Sequence, residues 1–129
     1  MNNTYNFLLQ VDCVKYNLMK IIEIYVEEND KNYDLVIGQN QNENDKIIKT
    51  SSPNDIWFHL DKLSGPHFVF KTQTDEIPKK YLNQIAVLFR EYKNGLPNRY
   101  TVIYTCIKNV KLTNTPGLVI PCKTKYIKC

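Results

Sequence analysis

Two aromatic-rich runs on either side of a short turn constrain the fold of this chain more than any other feature. The first run is Asp55-Ile56-Trp57-Phe58-His59 and the second is Pro66-His67-Phe68-Val69-Phe70. Successive side chains of a β-strand point to opposite faces, so each run has one apolar face and one mixed face. The pattern predicts an antiparallel hairpin with Phe58 beside Phe68 on the apolar face.

A hairpin centred on Leu63 sets the register of these two strands. His59 then lies opposite His67, and Asp55 lies opposite Lys71. The mixed face carries Trp57 together with the only two histidines of the chain. We expect this face to be a polar, partly aromatic patch open to a ligand, whereas a slip of one residue would bury the histidines.

Four further segments have the patterns of strands. Residues 19–26 and 33–38 are rich in β-branched residues and predict a second hairpin. Residues 99–107 have apolar side chains on both faces, which indicates a central strand. A turn at residues 114–117 precedes a last strand over residues 118–128.

Two helices complete the prediction of an α+β fold with a mostly antiparallel sheet. Apolar residues recur at intervals of three and four over residues 78–93, which predicts the main helix packed on the sheet. Pro78 suits its first turn and Gly95 its end. Asn44 or Asp45 is expected to cap a short helix near residues 44–50. Residues 19–129 form one predicted domain. Residues 1–18 form an extension whose structure the sequence leaves open, because the pattern of residues 7–12 fits the start of a strand or of a short helix.

The composition argues for an intracellular protein, which we expect to be cytoplasmic. No apolar stretch approaches the ~20 residues that span a bilayer, and the first residues lack the charges of a signal peptide. The four cysteines form no CxxC pair and show no zinc-site spacing, so we expect reduced thiols. The oligomeric state is not indicated.

The net charge of +4 conceals a division between the two halves of the chain. Residues 1–78 hold seven lysines and twelve acidic residues, whereas residues 79–129 hold ten Lys or Arg and one acid, Glu91. A segment that basic predicts a positive surface and a polyanionic partner, unless its lysines are spread evenly around the domain.

The sequence shows no recognisable catalytic motif. It lacks GxSxG, P-loop, HExxH and GxGxxG patterns, and four glycines are too few for a glycine-rich phosphate cradle. His59 and His67 with Asp55 and Asp61 are the minor alternative, an acid–base or metal site. We expect instead that the histidines frame a binding surface, with no enzymatic activity, cofactor or metal.

A nucleic-acid surface uses more of these residues. Trp57 and the tyrosines offer rings for base stacking, which contributes ~1–3 kcal/mol per base. Histidine and asparagine side chains donate to phosphates or base edges, and lysines supply salt-dependent affinity. The predicted contacts are Asn40, Asn44, Asp45, Trp57, His59, Lys62, His67, Lys71, Lys111, Lys123 and Lys125. The residues alone do not distinguish RNA from DNA as the ligand.

The same segments resemble a known family, the NFACT-R domain. The residues that carry the resemblance are Asp55 to Leu60, Ser64 to His67, the loop from Gly38 to Asp45, Ile77-Pro78, and Pro116-Gly117. It covers residues 19–128 and is greatest to the short eukaryotic members that join this domain to a coiled coil. The resemblance implies an RNA-binding module related to those of ribosome-associated quality control. Together with the charge division it makes RNA the preferred ligand; the alternatives are a protein partner on the ribosome or on translation factors, and DNA.

Two positions depart from the family pattern. Gln39 stands where Arg or Lys usually follows the loop glycine, which removes a phosphate contact. Gly65-Pro66-His67 replaces the frequent Gly-Ser-His. No other NFACT domain is recognisable, so the expectation is a stand-alone binding module without tail synthesis.

Overall fold

The computed structural model describes residues 19–129, which form an α+β domain. Its main sheet has six antiparallel strands in the order β1-β2-β4-β3-β5-β8. These strands are β1 (Lys20–Val26), β2 (Lys31–Gly38), β3 (Ile56–Leu60), β4 (His67–Phe70), β5 (Thr101–Cys106) and β8 (Lys125–Lys128). A separate hairpin pairs β6 (Val110–Leu112) with β7 (Val119–Pro121). The predicted fold class is confirmed, while the expectation for residues 1–18 lies outside the described residues.

The register of the aromatic hairpin is the predicted one. Trp57 pairs with Val69 and Phe58 with Phe68 in the β3–β4 ladder. The rings of His59 and His67 are 4.7 Å apart between centroids. At the other end of the hairpin, Lys71 Nζ lies 3.7 Å from Asp55 Oδ2. The alternation of apolar and mixed residues excluded a slip of one residue, and the turn centred on Leu63 gave the rest of the register.

The helices differ from the prediction at their ends. Helix α1 spans Gln41–Lys49, because the side chain of Asn40 accepts a hydrogen bond from Glu43 N and caps the helix there. The expected cap at Asn44 or Asp45 is therefore wrong. The main helix is divided into α2 (Lys79–Val87) and α3 (Phe89–Tyr92). Leu88 N donates to Ile85 O, three residues back, which marks a tighter turn between them.

Each face of the main sheet is covered by a different layer. The helix face carries Phe58 and Phe68 and packs against α2 and α3, where Phe68 stacks on Phe89 with centroids 3.9 Å apart. The opposite face, called the pocket face here, carries Trp57 and Val69 under α1 and the β6–β7 hairpin. Strand β4 is buried along its whole length as a result.

The last predicted strand belongs to two sheets. Residues 118–128 contain β7, which pairs with β6, and β8, which pairs with β5 at the edge of the main sheet. Lys123 lies between them with a φ of 54°, a left-handed conformation that turns the chain from one sheet to the other. Strand β5 lies inside the sheet between β3 and β8, as predicted.

Candidate nucleic-acid interface

The Asn-rich loop places helix α1 against strand β4. Asn44 is buried, and its side-chain oxygen accepts a hydrogen bond from His67 N at 3.2 Å. A Cβ at Gly38 would collide with this Asn44 side chain and with its backbone. Glycine is therefore needed at position 38 so that the helix can approach the sheet.

The next residue of the loop fixes the turn after β6. Asp45 Oδ1 accepts a hydrogen bond from Gly117 N at 3.0 Å. Gly117 has a φ of 79°, and a Cβ there would lie 3.1 Å from Gln41 Cα. The turn thus rests directly on the first turn of α1. Asn40, Asn44 and Asp45 have structural roles here as a cap and two tethers, which the sequence did not reveal.

Beside these tethers lies an open pocket of about 560 Å³ on the pocket face, called the central pocket here. Buried Asn44, Trp57 and His67 form its floor, and Leu60, Ile103 and Val119 contribute to its walls. Its remaining lining residues are Gln41, His59, Lys62, Leu63, Ser64, Gly65, Thr115, Pro116, Gly117, Leu118 and Pro121. Five predicted site residues therefore meet here, namely Asn44, Trp57, His59, Lys62 and His67.

Trp57 and the two histidines form one ring cluster at the bottom of the central pocket. Trp57 Nε1 donates to His67 Nδ1 at 3.1 Å. The ring of His59 is nearly parallel to the indole of Trp57, with an interplanar angle of 14°. Because His67 Nδ1 accepts, the proton of the neutral imidazole is on Nε2.

Burial keeps both imidazoles uncharged at neutral pH. The loss of hydration, together with the nearby His59, lowers the pKa of His67 to about 3. Burial also lowers the pKa of His59, partly offset by the backbone of Gly65 and Leu60. Lys62 is the only charged residue among the described ones that line the central pocket. The pocket therefore has a neutral interior and a cation at its mouth.

The structure contradicts one predicted role. The side chain of Trp57 is only 1% exposed, so its ring offers no face to a base. The predicted open patch was wrong because α1 and the β6–β7 hairpin cover this side of the sheet. His67 is likewise buried and reaches a ligand only through the central pocket.

Four predicted lysines lie away from the central pocket. Lys71 is engaged with Asp55, Thr50 and Ser51 at the opposite end of the hairpin. Lys123 and Lys125 line a separate pocket beside Leu82 and Tyr104. Lys111 is exposed on β6. The expected meeting of the late lysines with the histidines is therefore wrong for Lys111, Lys123 and Lys125, and Lys71 does not join the histidines either.

The prediction missed two residues, one beside the central pocket and one on the edge strand β8. Lys93 lies beside Gly65 and lines a second depression of about 320 Å³ on the other side of the Ser64–Gly65 turn. Tyr126 is 57% exposed and pairs with Ile103, so the two side chains lie on the same side of the sheet. Alternation along β8 marks Tyr126, but no sequence signal marks Lys93.

The described residues contain neither a cluster of metal ligands nor a helix that could span a membrane. Residues 19–129 contain no group of three or more His, Cys, Asp or Glu side chains placed to hold a metal ion. No helix within that range has the length and apolar character needed to cross a membrane.

Comparison with known proteins gives consistent relatives. The chain is 36% identical over 91 residues to coiled-coil domain-containing protein 25 of Mus musculus, which covers 66% of this chain and 44% of the relative. It is 34% identical over 85 residues to the protein of that name from Danio rerio, covering 61% of this chain and 41% of the relative. The homolog from Dictyostelium discoideum is 28% identical over 98 residues, with 70% and 47% covered. The chain thus spans less than half the length of these relatives.

A solved structure shares the fold. The C-terminal part of the fibronectin/fibrinogen-binding protein from Streptococcus suis superposes with a TM-score of 0.65 at 20% identity, covering 84% of this chain and 44% of that one. The family model described as the NFACT protein RNA binding domain matches residues 21–122. This match supports an RNA-binding role. The chain belongs to the NFACT-R family.

Proposed function

We propose that this chain is a non-enzymatic RNA-binding module and that RNA contacts it at the mouth of the central pocket. The observation that carries the proposal is the meeting of Asn44, His59, Lys62 and His67 at one pocket in a member of an RNA-binding family. Pockets with apolar walls and a few convergent polar groups are the usual binding sites of proteins.

Charges beside the pocket supply the attraction to phosphates. Exposed Lys62 lies at the mouth, and Lys93 lines the depression on the other side of the Ser64–Gly65 turn. An RNA strand that crosses the Ser64–Gly65 turn would therefore pass between the ammonium groups of Lys62 and Lys93. The exposed ring of Tyr126 on the same side of the sheet offers a face for stacking.

The proposal extends to the ligand class and the compartment. We infer a structured cellular RNA, tRNA or rRNA, and an association with ribosomes in the cytoplasm. The family assignment supports the RNA. The free thiols of Cys106, Cys122 and Cys129 fit a reducing compartment.

A salt series on RNA binding tests the proposal. We expect affinity for a labelled single-stranded RNA, followed by fluorescence anisotropy, to fall steeply with salt. Lys62→Gln should lower the log–log salt slope by about 0.7, the value for one phosphate contact on a single strand. Lys125→Gln is the matched control, because Lys125 pairs with Tyr104 and lies on the helix face.

Three outcomes would each contradict a part of this proposal. An affinity that does not change with salt would show that phosphate contacts do not contribute to binding. Equal losses of affinity in Lys62→Gln and Lys125→Gln would show that the site is not at the central pocket. Equal binding of single-stranded DNA would overturn the preference for RNA.

A protein-binding adaptor is the second candidate function. Leu118 and Ile120 are 57% and 60% exposed, and Leu63 is 42% exposed at the same pocket mouth as Leu118. Exposed apolar groups of this kind are common at protein interfaces. Co-purification with a translation factor that survives nuclease treatment, and that Leu118→Ser abolishes, would favour the adaptor.

A further inference from the structure

The floor of the central pocket carries an oriented hydrogen-bond donor. His67 Nδ1 accepts from Trp57, so the ring proton is on Nε2. Within residues 19–129, His67 Nε2 has no hydrogen-bond partner. Every described side-chain nitrogen or oxygen that is fully buried does have a partner, so Nε2 is not fully buried. Nε2 therefore keeps contact with solvent, and the central pocket is the open space that His67 lines.

The interior suits a neutral group better than an anion. Both imidazoles are uncharged because burial lowers their pKa values. A phosphate inside would lose its hydration without meeting a cation, which is unfavourable. A flat heterocycle would instead meet the apolar side chains of Leu60, Ile103 and Val119 and accept a hydrogen bond from His67 Nε2.

The mouth of the pocket suits a phosphate. Lys62 has a φ of 63°, in the left-handed region that favours glycine or asparagine. A lysine at this position places at the rim the one cation found among the described lining residues. A base in the pocket with its phosphate at Lys62 would satisfy both parts of the site.

We propose that the central pocket takes one unpaired nucleobase, turned out of its strand, with the adjoining phosphate on Lys62. This inference rests on the proposed RNA-binding function and narrows it to RNA with unpaired bases. Every nucleobase carries an acceptor that His67 Nε2–H can reach, so we expect little base specificity.

Two probes separate this inference from the proposed function. Trp57 is the only tryptophan of the chain and lies at the pocket floor, so its fluorescence and its indole proton resonance report on the pocket. We expect both to change on addition of adenosine 5′-monophosphate. We also expect the emission of a 2-aminopurine within a single-stranded RNA to change on binding.

Filling the pocket should remove the preference for unpaired RNA. Ile103→Phe adds a ring at the pocket wall, and single-stranded RNA should then bind tenfold or more weakly, whereas the weak binding of a duplex of equal length should stay the same. Ile120→Phe is the matched control, since Ile120 is 60% exposed on the same hairpin as Val119 and does not line the pocket. If Ile103→Phe does not fold by circular dichroism, Val119→Phe takes its place.

The outcomes are distinct. If RNA binds while the Trp57 signals stay unchanged, the nucleobase pocket is overturned and the proposed function stands. The same holds if Ile103→Phe and Ile120→Phe bind RNA with equal affinity. A response of Trp57 to the mononucleotide without any RNA binding overturns the proposed function and leaves the pocket. Single-stranded DNA bound as tightly as RNA supports the pocket and widens its ligand class. The absence of every response overturns both.

Discussion

At the scale of single residues, the pocket is built on a histidine that cannot take up a proton easily. His67 is 2% exposed, with its backbone N–H on Asn44 and its ring on Trp57. An imidazole in such surroundings loses the hydration that stabilises its charged form. The same burial that excludes it as an open surface group therefore makes it a fixed donor.

The buried histidine should make stability depend on pH. Its folded pKa of about 3 is lower than the ordinary value of 6.5, so the unfolded chain binds more protons between these values. Stability is then lost as pH falls through 6.5 towards 3. Between pH 7 and pH 5 this residue should lower the free energy of unfolding by about 2 kcal/mol.

Urea unfolding of the wild type and of His67→Phe at both pH values measures this difference. The titration of the acidic groups is common to both proteins and cancels. An equal loss of stability in the two proteins would show that His67 does not carry the effect.

At the scale of elements, helix α1 is held by side chains that the sequence marks for a different purpose. The Asn-rich loop predicts contacts with RNA, yet Asn40 caps the helix, Asn44 holds β4 and Asp45 holds the turn at Gly117. Polar residues in a loop are ambiguous because the same groups bond to backbone or to ligand. Only the packed helix distinguishes the two uses.

Gly117→Ala should destabilise the protein more than Gly95→Ala. Both glycines have a φ near 79°, in the left-handed region. An alanine there should therefore lower the free energy of unfolding by roughly 1 kcal/mol at each position. A Cβ at Gly95 meets nothing within 4 Å, whereas at Gly117 it would press on Gln41 of α1. We expect an additional ~1–3 kcal/mol from this overpacking. Equal midpoints of chemical denaturation for Gly117→Ala and Gly95→Ala would show that the turn does not pack tightly against α1.

At the scale of the whole molecule, one sheet is shared by two cores. The helix face packs on α2 and α3, and the pocket face packs on α1 and the β6–β7 hairpin. Strands β3 and β4 contribute buried side chains to both. Each layer packs on the same sheet, so unfolding of the sheet would expose both cores. We therefore expect the two layers to unfold together.

Unfolding followed by two probes tests this coupling. Trp57 fluorescence reports the pocket face, and far-ultraviolet circular dichroism reports the whole chain. Phe89→Leu, which alters only the helix-face core, should lower stability by on the order of 1 kcal/mol and shift both midpoints equally. A shift seen by circular dichroism alone would show that the two layers unfold separately.

The sequence by itself determined the pairing of β3 with β4 and the α+β class, but not strand β6 or the division of residues 118–128 between two sheets. Period-two alternation dictates which side chains share a face, because a slip of one residue reverses every side chain. Tertiary structure alone decided that the pocket face is covered, since the residues that cover Trp57 come from α1 and from β6 and β7. Local patterns record which face a side chain takes, but what packs on that face depends on segments distant in sequence. For the same reason, Lys62 lies at the pocket while Lys123 and Lys125 lie elsewhere.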